Sequence, residues 1–134
     1  MMDYSRIIDV NINRAREGLR VIEEIARFIL EDDNLTKTAK KLRHNLSYKK
    51  LATVTKDFPD TDKLISSRDS VNDIGANAPL KKRDNLLDIT QANFSRVKES
   101  LRVLEEFSKT DRMFFQKLRF DVYELEKKVL VKIF

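Results

Sequence analysis

One stretch of this chain occurs twice, and the repetition constrains the fold more than any other feature. Residues 11–24 read NINRAREGLRVIEE, and residues 93–106 read NFSRVKESLRVLEE. The matched positions include charged and amide residues as well as apolar ones: Asn11/Asn93, Arg14/Arg96, Glu17/Glu99, Leu19/Leu101, Arg20/Arg102, Val21/Val103, Glu23/Glu105 and Glu24/Glu106. A shorter echo, Lys41–Arg43 and Lys117–Arg119, follows the two copies. The sequence therefore predicts two copies of one helix-turn-helix unit.

The composition favours one domain of long helices. The 134 residues include only two glycines, two prolines and no cysteine. This length is enough for a substantial core, and the lack of cysteine excludes disulfides and thiolate zinc sites. The single histidine, His44, leaves little imidazole for metal binding and is more simply a packed or exposed side chain than a catalyst. We expect a single domain, residues 1–134.

The charge pattern favours small anionic partners. The net charge is +5, and basic residues are interleaved with acidic ones rather than gathered in a tail. Nucleotides and phosphorylated metabolites fit this balance, and a nucleic-acid partner is not expected. No apolar run approaches the roughly 20 residues that span a bilayer, and Met1–Arg6 lacks the apolar core of a signal peptide. We expect a soluble cytoplasmic protein with no membrane partner.

Apolar periodicity predicts an all-α fold, an antiparallel four-helix bundle. The first pair occupies residues 1–52, with one helix from Asp3 or Ser5 to Leu30 and another from Asn34 or Thr36 through Leu51. A long loop at 53–84 leads to the second pair, 85–134, with helices from Asn85 to Ser108 and from Arg112 onwards. Short turns at 31–35 and 109–112 make each pair antiparallel. Six aromatic residues are assigned to the core: Phe28, Phe94, Phe107, Phe115, Phe120 and Tyr123.

Polar residues fall where this pattern places the core. Asn11 lies at the centre of the apolar stripe and Arg14 at its edge, and Asn93 and Arg96 occupy the same places in the second copy. Such groups are costly to bury unless they are hydrogen-bonded or paired. One interpretation is a structural clamp, with Arg14 paired to a carboxylate. The other is a functional set repeated about a common axis. In both, we expect Arg14 and Arg96 to be buried and paired.

Carboxylates and further arginines complete the candidate set on the helices. Glu17 and Glu99 lie near the arginine edge and could hold Mg²⁺, which prefers hard oxygen ligands. Arg43 and Arg119, at matching places in the shorter echo, are candidates for binding an anion. Three other charged residues of the first helix are assigned to a solvated face of intrahelical pairs: Arg16, Glu23 and Arg27.

The long loop carries a second group of candidates. Arg68, Asp69 and Asp73 precede Gly75, whose backbone N–H could approach an oxyanion if the glycine adopts a positive φ. Loops of this length in a compact domain are usually functional or disordered. Neither a G-x-x-x-x-G-K-[ST] nor a G-x-G-x-x-G motif is present to hold phosphates. We therefore expect the loop to act as a lid, with Arg68 closing on phosphate groups.

The two repeats resemble a known helical family. The resemblance rests on Asp9–Glu24, Gln91–Glu106, Lys117–Arg119 with Tyr123, and the loop pattern from Arg68 to Gly75, and it covers about residues 4–130. The family is found alone or fused to the front of some bacterial thiamine phosphate synthases. It is associated with hydroxymethylpyrimidine phosphate kinase activity, which supplies the pyrimidine diphosphate for thiamine assembly. Because this chain stops at Phe134, only the kinase step is expected here.

The resemblance implies ATP and Mg²⁺ as cofactors, a phosphorylated pyrimidine as substrate, and a functional link to thiamine phosphate synthase. Candidate catalytic residues are Glu17, Glu99, Asp69 and Asp73, with Glu17 and Glu99 also the metal candidates. Candidate phosphate-binding residues are Asn11, Arg14, Arg43, Arg68, Gly75, Asn93, Arg96 and Arg119. Two alternatives stay open: a non-catalytic module that binds a phosphorylated pyrimidine or nucleotide, and a helical scaffold or RNA-associated protein. The sequence also leaves a homodimer open.

Overall fold

The computed structural model describes residues 2–56 and 58–134. Within these residues there are six α-helices and no strand, so the predicted all-helical class is confirmed. The helices are α1 (Ser5–Glu24), α2 (Asp33–His44), α3 (Tyr48–Val54), α4 (Thr61–Ser66), α5 (Leu86–Phe107) and α6 (Arg112–Ile133). None of them combines the length and the apolar character that a membrane crossing would need.

The first helix ends in a way that the sequence pattern did not predict. After Glu24 the chain continues as a π-helical turn, Ile25–Ile29. Glu31 then takes a positive φ of 51°, which reverses the chain direction after the last turn. Asp32 accepts a hydrogen bond of 2.9 Å from the backbone N–H of Leu35 and so caps α2. This compact reversal lets α2 pack against α1.

The second predicted helix is divided. It was expected to run through Leu51, but α2 ends at His44 and α3 begins at Tyr48. The prediction was wrong because Ser47 accepts a hydrogen bond from the backbone N–H of Lys50 and caps a new helix. The long loop also contains a helix, α4, between Thr61 and Ser66.

The core lies between the four long helices. Helix α1 contacts α2 and α5, and α6 contacts the same two helices. In the connection between α2 and α5, α3 and α4 each bury one leucine in the core, Leu51 and Leu64. At the crossing of α1 and α5, Gly18 allows a close approach. A Cβ atom there would lie 2.6 Å from Cγ2 of Val97 and 3.1 Å from the carbonyl oxygen of Asn93.

Half of the aromatic residues assigned to the core lie elsewhere. Phe94 and Phe115 are buried, and Phe107 is half-buried, with its ring centre 5.0 Å from that of Tyr4. Phe28, Phe120 and Tyr123 are exposed, so their assignment was wrong. Phe28 lies in the π-helical turn, where the wider spacing rotates its side chain outwards. Phe120 and Tyr123 fall between the buried positions of α6 and lie against cations instead, the guanidinium of Arg119 and the ammonium of Lys98.

Candidate functional site

Arg14 and Arg96 are exposed, contrary to the prediction that both are buried. They lie at the edge of the contact between α1 and α5, where a long side chain can cover apolar surface and still reach solvent. Neither guanidinium forms an ion pair with any carboxylate in the part of the chain that the structure describes. The two groups are therefore available to an external anion.

Three adjoining clefts meet at Arg14, with volumes of about 450, 410 and 430 Å³. We call the three clefts together the arginine groove. Arg14 lines all three clefts, and Arg96 and Arg6 each line two of them. Arg68 and Arg83 each line one. Such a concentration of guanidinium groups suits phosphate, which arginine can bind with two parallel hydrogen bonds.

The groove brings together most of the residues that the sequence singled out. Its lining includes Asn11, Arg14, Glu17, Arg68, Asp69, Asp73, Arg96 and Glu99. Four other candidates do not line it: Arg43, Gly75, Asn93 and Arg119. Helix packing thus joins residues from α1, the loop and α5 that lie far apart in sequence.

Asn11 and Asn93 use their own helices as partners. The side-chain amide of Asn11 donates to the carbonyl oxygen of Ile7 at 2.9 Å, and that of Asn93 donates to Ile89 at 2.8 Å. Asn11 is buried and Asn93 is half-buried. A local bond to the backbone explains how an amide is tolerated on the inner face of each helix.

Arg43 and Arg119 pair with buried glutamates. The Nε atom of Arg43 lies 3.0 Å from Glu23, while Arg119 donates from both Nε and a terminal nitrogen to Glu105. The hydrogen bond to Glu105 raises the pKa of Arg119. Assigning Glu23 to a solvated face was wrong, because α2 covers it. The repeat contained the signal, since both copies carry this glutamate and both shorter echoes carry this arginine.

The other two residues assigned to the solvated face, Arg16 and Arg27, differ in their exposure. Arg27 is exposed, as predicted, and its guanidinium lies 4.7 Å from the centre of the Phe28 ring. Arg16 is half-buried, and its Nε atom is buried without a hydrogen-bond partner among the described residues. His44, which was not expected to act as a catalyst, is exposed.

A buried carboxylate that sequence reasoning missed lies at the floor of the groove. Asp9 is 2% exposed and accepts hydrogen bonds from Nε and a terminal nitrogen of Arg68 at 2.7 and 3.0 Å. The Tyr48 hydroxyl also donates to Asp9, and Asn13 lies 3.4 Å away. We call these four residues the Asp9 cluster. Burial alone would raise the pKa of Asp9, but the hydrogen bonds from Arg68 and Tyr48 hold it below its usual value.

The loop beside the groove is tied by side chains rather than by regular structure. Asp69 accepts hydrogen bonds from the backbone and the side chain of Asn72, at 3.0 and 2.9 Å. Asp73 accepts from the backbone N–H of Gly75 at 2.8 Å. Gly75 does not have a positive φ. The expectation that its N–H reaches an oxyanion is therefore not met in this structure, because Asp73 holds that N–H.

The carboxylates of the groove do not form a complete metal site. Within residues 2–56 and 58–134 no three histidine, aspartate or glutamate side chains come together as metal ligands. Mg²⁺ often binds through one or two carboxylates and completes its shell with water and substrate phosphates. Glu17 and Glu99, which flank Arg14 and Arg96, fit only a site of that kind.

Comparison with known proteins gives relatives over nearly the whole chain. A thiamine-phosphate synthase of Synechocystis sp. is 40% identical over 134 residues, covering 94% of this chain and 36% of the relative. A thiamine-phosphate synthase of Rhodopirellula baltica is 42% identical over 108 residues, covering 78% of this chain and 27% of the relative. The chain thus spans about a third of the length of these proteins. No solved structure is a significant match. The sequence model of the ThiD2 family matches residues 6–128, and the chain therefore belongs to the ThiD2 family.

Proposed function

We propose that this chain transfers the γ-phosphoryl group of ATP to hydroxymethylpyrimidine phosphate, in the presence of Mg²⁺, as a step of thiamine biosynthesis. One observation carries the proposal. Arg14 and Arg96 are exposed, have no ion-pair partner in the described part of the chain, and together line two clefts, of which one also contains Glu99 and the other Glu17. The names of the relatives, thiamine-phosphate synthases, support a role in the same pathway.

The chemistry of phosphoryl transfer suits such a groove. An oxygen of the substrate phosphate attacks the γ-phosphorus, the new O–P bond forms, and the bond to the β-phosphate breaks to release ADP. Because the acceptor is already ionised, positioned cations contribute more than a general base. Arg14 and Arg96 would hold the transferred group between acceptor and leaving group. A bound Mg²⁺ would neutralise charge on the ATP phosphates, with Glu17 and Glu99 as its protein ligands.

We also infer that the four long helices form a bundle built from a duplicated unit. Matching contacts support this: Asn11 and Asn93 donate to the carbonyl four residues earlier, and Glu23–Arg43 has its counterpart in Glu105–Arg119. The duplication would place Arg14 opposite Arg96 near a two-fold axis. An experimental structure in which α1 and α5 are not related by such a rotation would contradict it.

A coupled ADP-release assay with hydroxymethylpyrimidine phosphate, ATP and Mg²⁺ tests the activity. Each of Arg14→Ala and Arg96→Ala should lower kcat/KM by about 10- to 100-fold, since a hydrogen bond to a charged group contributes about 1.5–3 kcal/mol. Both variants should keep the wild-type Tm, because the replaced side chains are exposed and unpaired. Arg20→Ala is the matched control: this exposed arginine of α1 pairs with Glu24, outside the groove.

Failure of the wild-type chain to release ADP above background at millimolar substrate would refute the kinase. A non-catalytic binding module is the second candidate, since Arg14 and Arg96 can bind a phosphate group without any carboxylate that holds a metal. Calorimetry with hydroxymethylpyrimidine phosphate alone separates the two. Binding that Arg14→Ala weakens, without any ADP release when ATP is added, would identify the module.

A further inference from the structure

Residues 69–83, between α4 and α5, lie beside the arginine groove without being held there by hydrophobic burial. The segment contains no helix or strand. Its large apolar side chains point to solvent: Val71, Ile74 and Leu80 are 92%, 105% and 86% exposed. A segment of this kind needs polar contacts to keep one position, because apolar contacts do not provide one.

Two contacts join the start of this segment to α1. The guanidinium of Arg6 donates to the carbonyl oxygen of Asp69 at 2.7 Å, in an exposed position. Arg68, immediately before the segment, donates two hydrogen bonds to Asp9, which is buried. Arg68 also donates to the Tyr48 hydroxyl at 3.0 Å, so the contact involves α1, α3 and the end of α4. The two-bond contact with the buried Asp9 carboxylate is the stronger anchor, since solvent and salt weaken the exposed contact more.

The contact between Arg68 and Asp9 affects the position of residues that line the arginine groove. Asp69 and Asp73 share one cleft with Arg14. The turns at Asp69–Asn72 and Asp73–Gly75 shape residues 69–75 by local hydrogen bonds, and the contacts of Arg68 and of Asp69 with α1 set where these turns lie. Release of Arg68 would therefore leave the exposed contact from Arg6 to hold both carboxylates beside Arg14.

We infer that Asp9 is a positioning residue: by holding Arg68, it fixes residues 69–83 at the edge of the arginine groove. Asp9 itself needs no contact with a ligand for this. Its burial beneath Arg68 and Tyr48 leaves the groove surface to the arginines. The kinetic part of the test rests on the proposed function, whereas the structural part does not.

Amide hydrogen exchange tests the inference without any substrate. Asp9→Asn keeps the shape of the side chain but removes the charge that holds Arg68. Exchange at the backbone amides within residues 72–78 that donate hydrogen bonds should become about tenfold faster or more, while α1 and α5 keep their protection. Arg68→Lys keeps one charged donor and should fall between wild type and Arg68→Ala. Asp33→Asn is the control, since Asp33 is exposed and, among the described residues, pairs with Lys37 alone.

Unchanged exchange at these amides in Asp9→Asn would overturn the inference. So would a uniform acceleration over the whole chain, because Asp9 would then support the fold in general. If Asp9→Asn does not fold, the Arg68→Lys and Arg68→Ala series gives the same comparison, as Arg68 is half exposed.

Enzyme kinetics provide the second readout. If wild type releases ADP, kcat/KM of Asp9→Asn should fall on the order of 100-fold, the loss expected from about 1 Å of misplacement, with Arg68→Lys recovering part of it relative to Arg68→Ala. Wild-type-like kinetics in Asp9→Asn would count against a positioning role. If wild type shows no turnover, the proposed function fails, and the exchange data still decide the role of Asp9.

Discussion

Replacing Arg119 with alanine would leave Glu105 buried without its main partner. The side chains of Glu105 and Arg119 are 5% and 15% exposed, and two hydrogen bonds join them. Removing one member of a buried pair costs about 3–5 kcal/mol. Because some solvent reaches Arg119, we expect a value near 3 kcal/mol. For a chain of this length the entropy of unfolding is roughly 0.28 kcal/mol/K. Dividing the loss of about 3 kcal/mol by this entropy gives a fall in Tm of about 10 °C.

The assay is thermal and urea unfolding of Arg119→Ala, followed by the helical signal in circular dichroism. Arg102→Ala is the matched control, because Arg102 also lies near Glu105, at 3.9 Å, but its side chain is 58% exposed. An exposed ion pair contributes about 0–1 kcal/mol, so the control should lose less than about 4 °C. The urea midpoint should show the same order.

A double variant tests whether the loss comes from the unpaired carboxylate. Glu105→Leu with Arg119→Leu replaces the pair by apolar groups, which is often neutral or stabilising at a buried site. It should therefore be more stable than Arg119→Ala alone. The reasoning is refuted if Arg119→Ala loses no more stability than Arg102→Ala, or if the double variant is less stable than the single one.

Two further predictions concern helix packing and pH. Gly18→Ala should lower the free energy of unfolding, because the added methyl group would overpack against Val97 and the Asn93 carbonyl. Overpacking costs about 1–3 kcal/mol, which exceeds the gain of about 0.5–1 kcal/mol from replacing glycine in a helix. Urea unfolding measures the difference, and a more stable variant would contradict the prediction. The second prediction concerns the pKa of Asp9, which is lowered in the folded state. The ionised carboxylate therefore stabilises the fold above about pH 4, and this stabilisation is lost as the pH falls further. The stability difference between wild type and Asp9→Asn should accordingly shrink as the pH falls below about 4, whereas a constant difference would exclude the role of Asp9.

The helical class and most of the candidate residues that line the arginine groove follow from local patterns that a sequence displays directly. Apolar periodicity located α1, α5 and α6, because one buried face of a helix requires it. Capping was harder to read: the hydroxyl of Ser47 interrupts a pattern that otherwise continues through Leu51. The positive φ at Glu31 likewise had no sequence signal, since glycine or asparagine is the usual choice there.

The sequence by itself singled out Arg14, Arg96, Glu17 and Glu99, because a repeat that preserves charged residues as well as apolar ones predicts duplicated chemistry. Only the tertiary structure decided which of the charged groups are paired. Position on one helix does not reveal what a neighbouring helix covers, so Arg14 proved exposed while Glu23 proved buried under Arg43. The contact between Asp9 and Arg68 also joins residues far apart in sequence. Burial and ion pairing depend on the whole surroundings of a side chain, and those are fixed only when the helices pack.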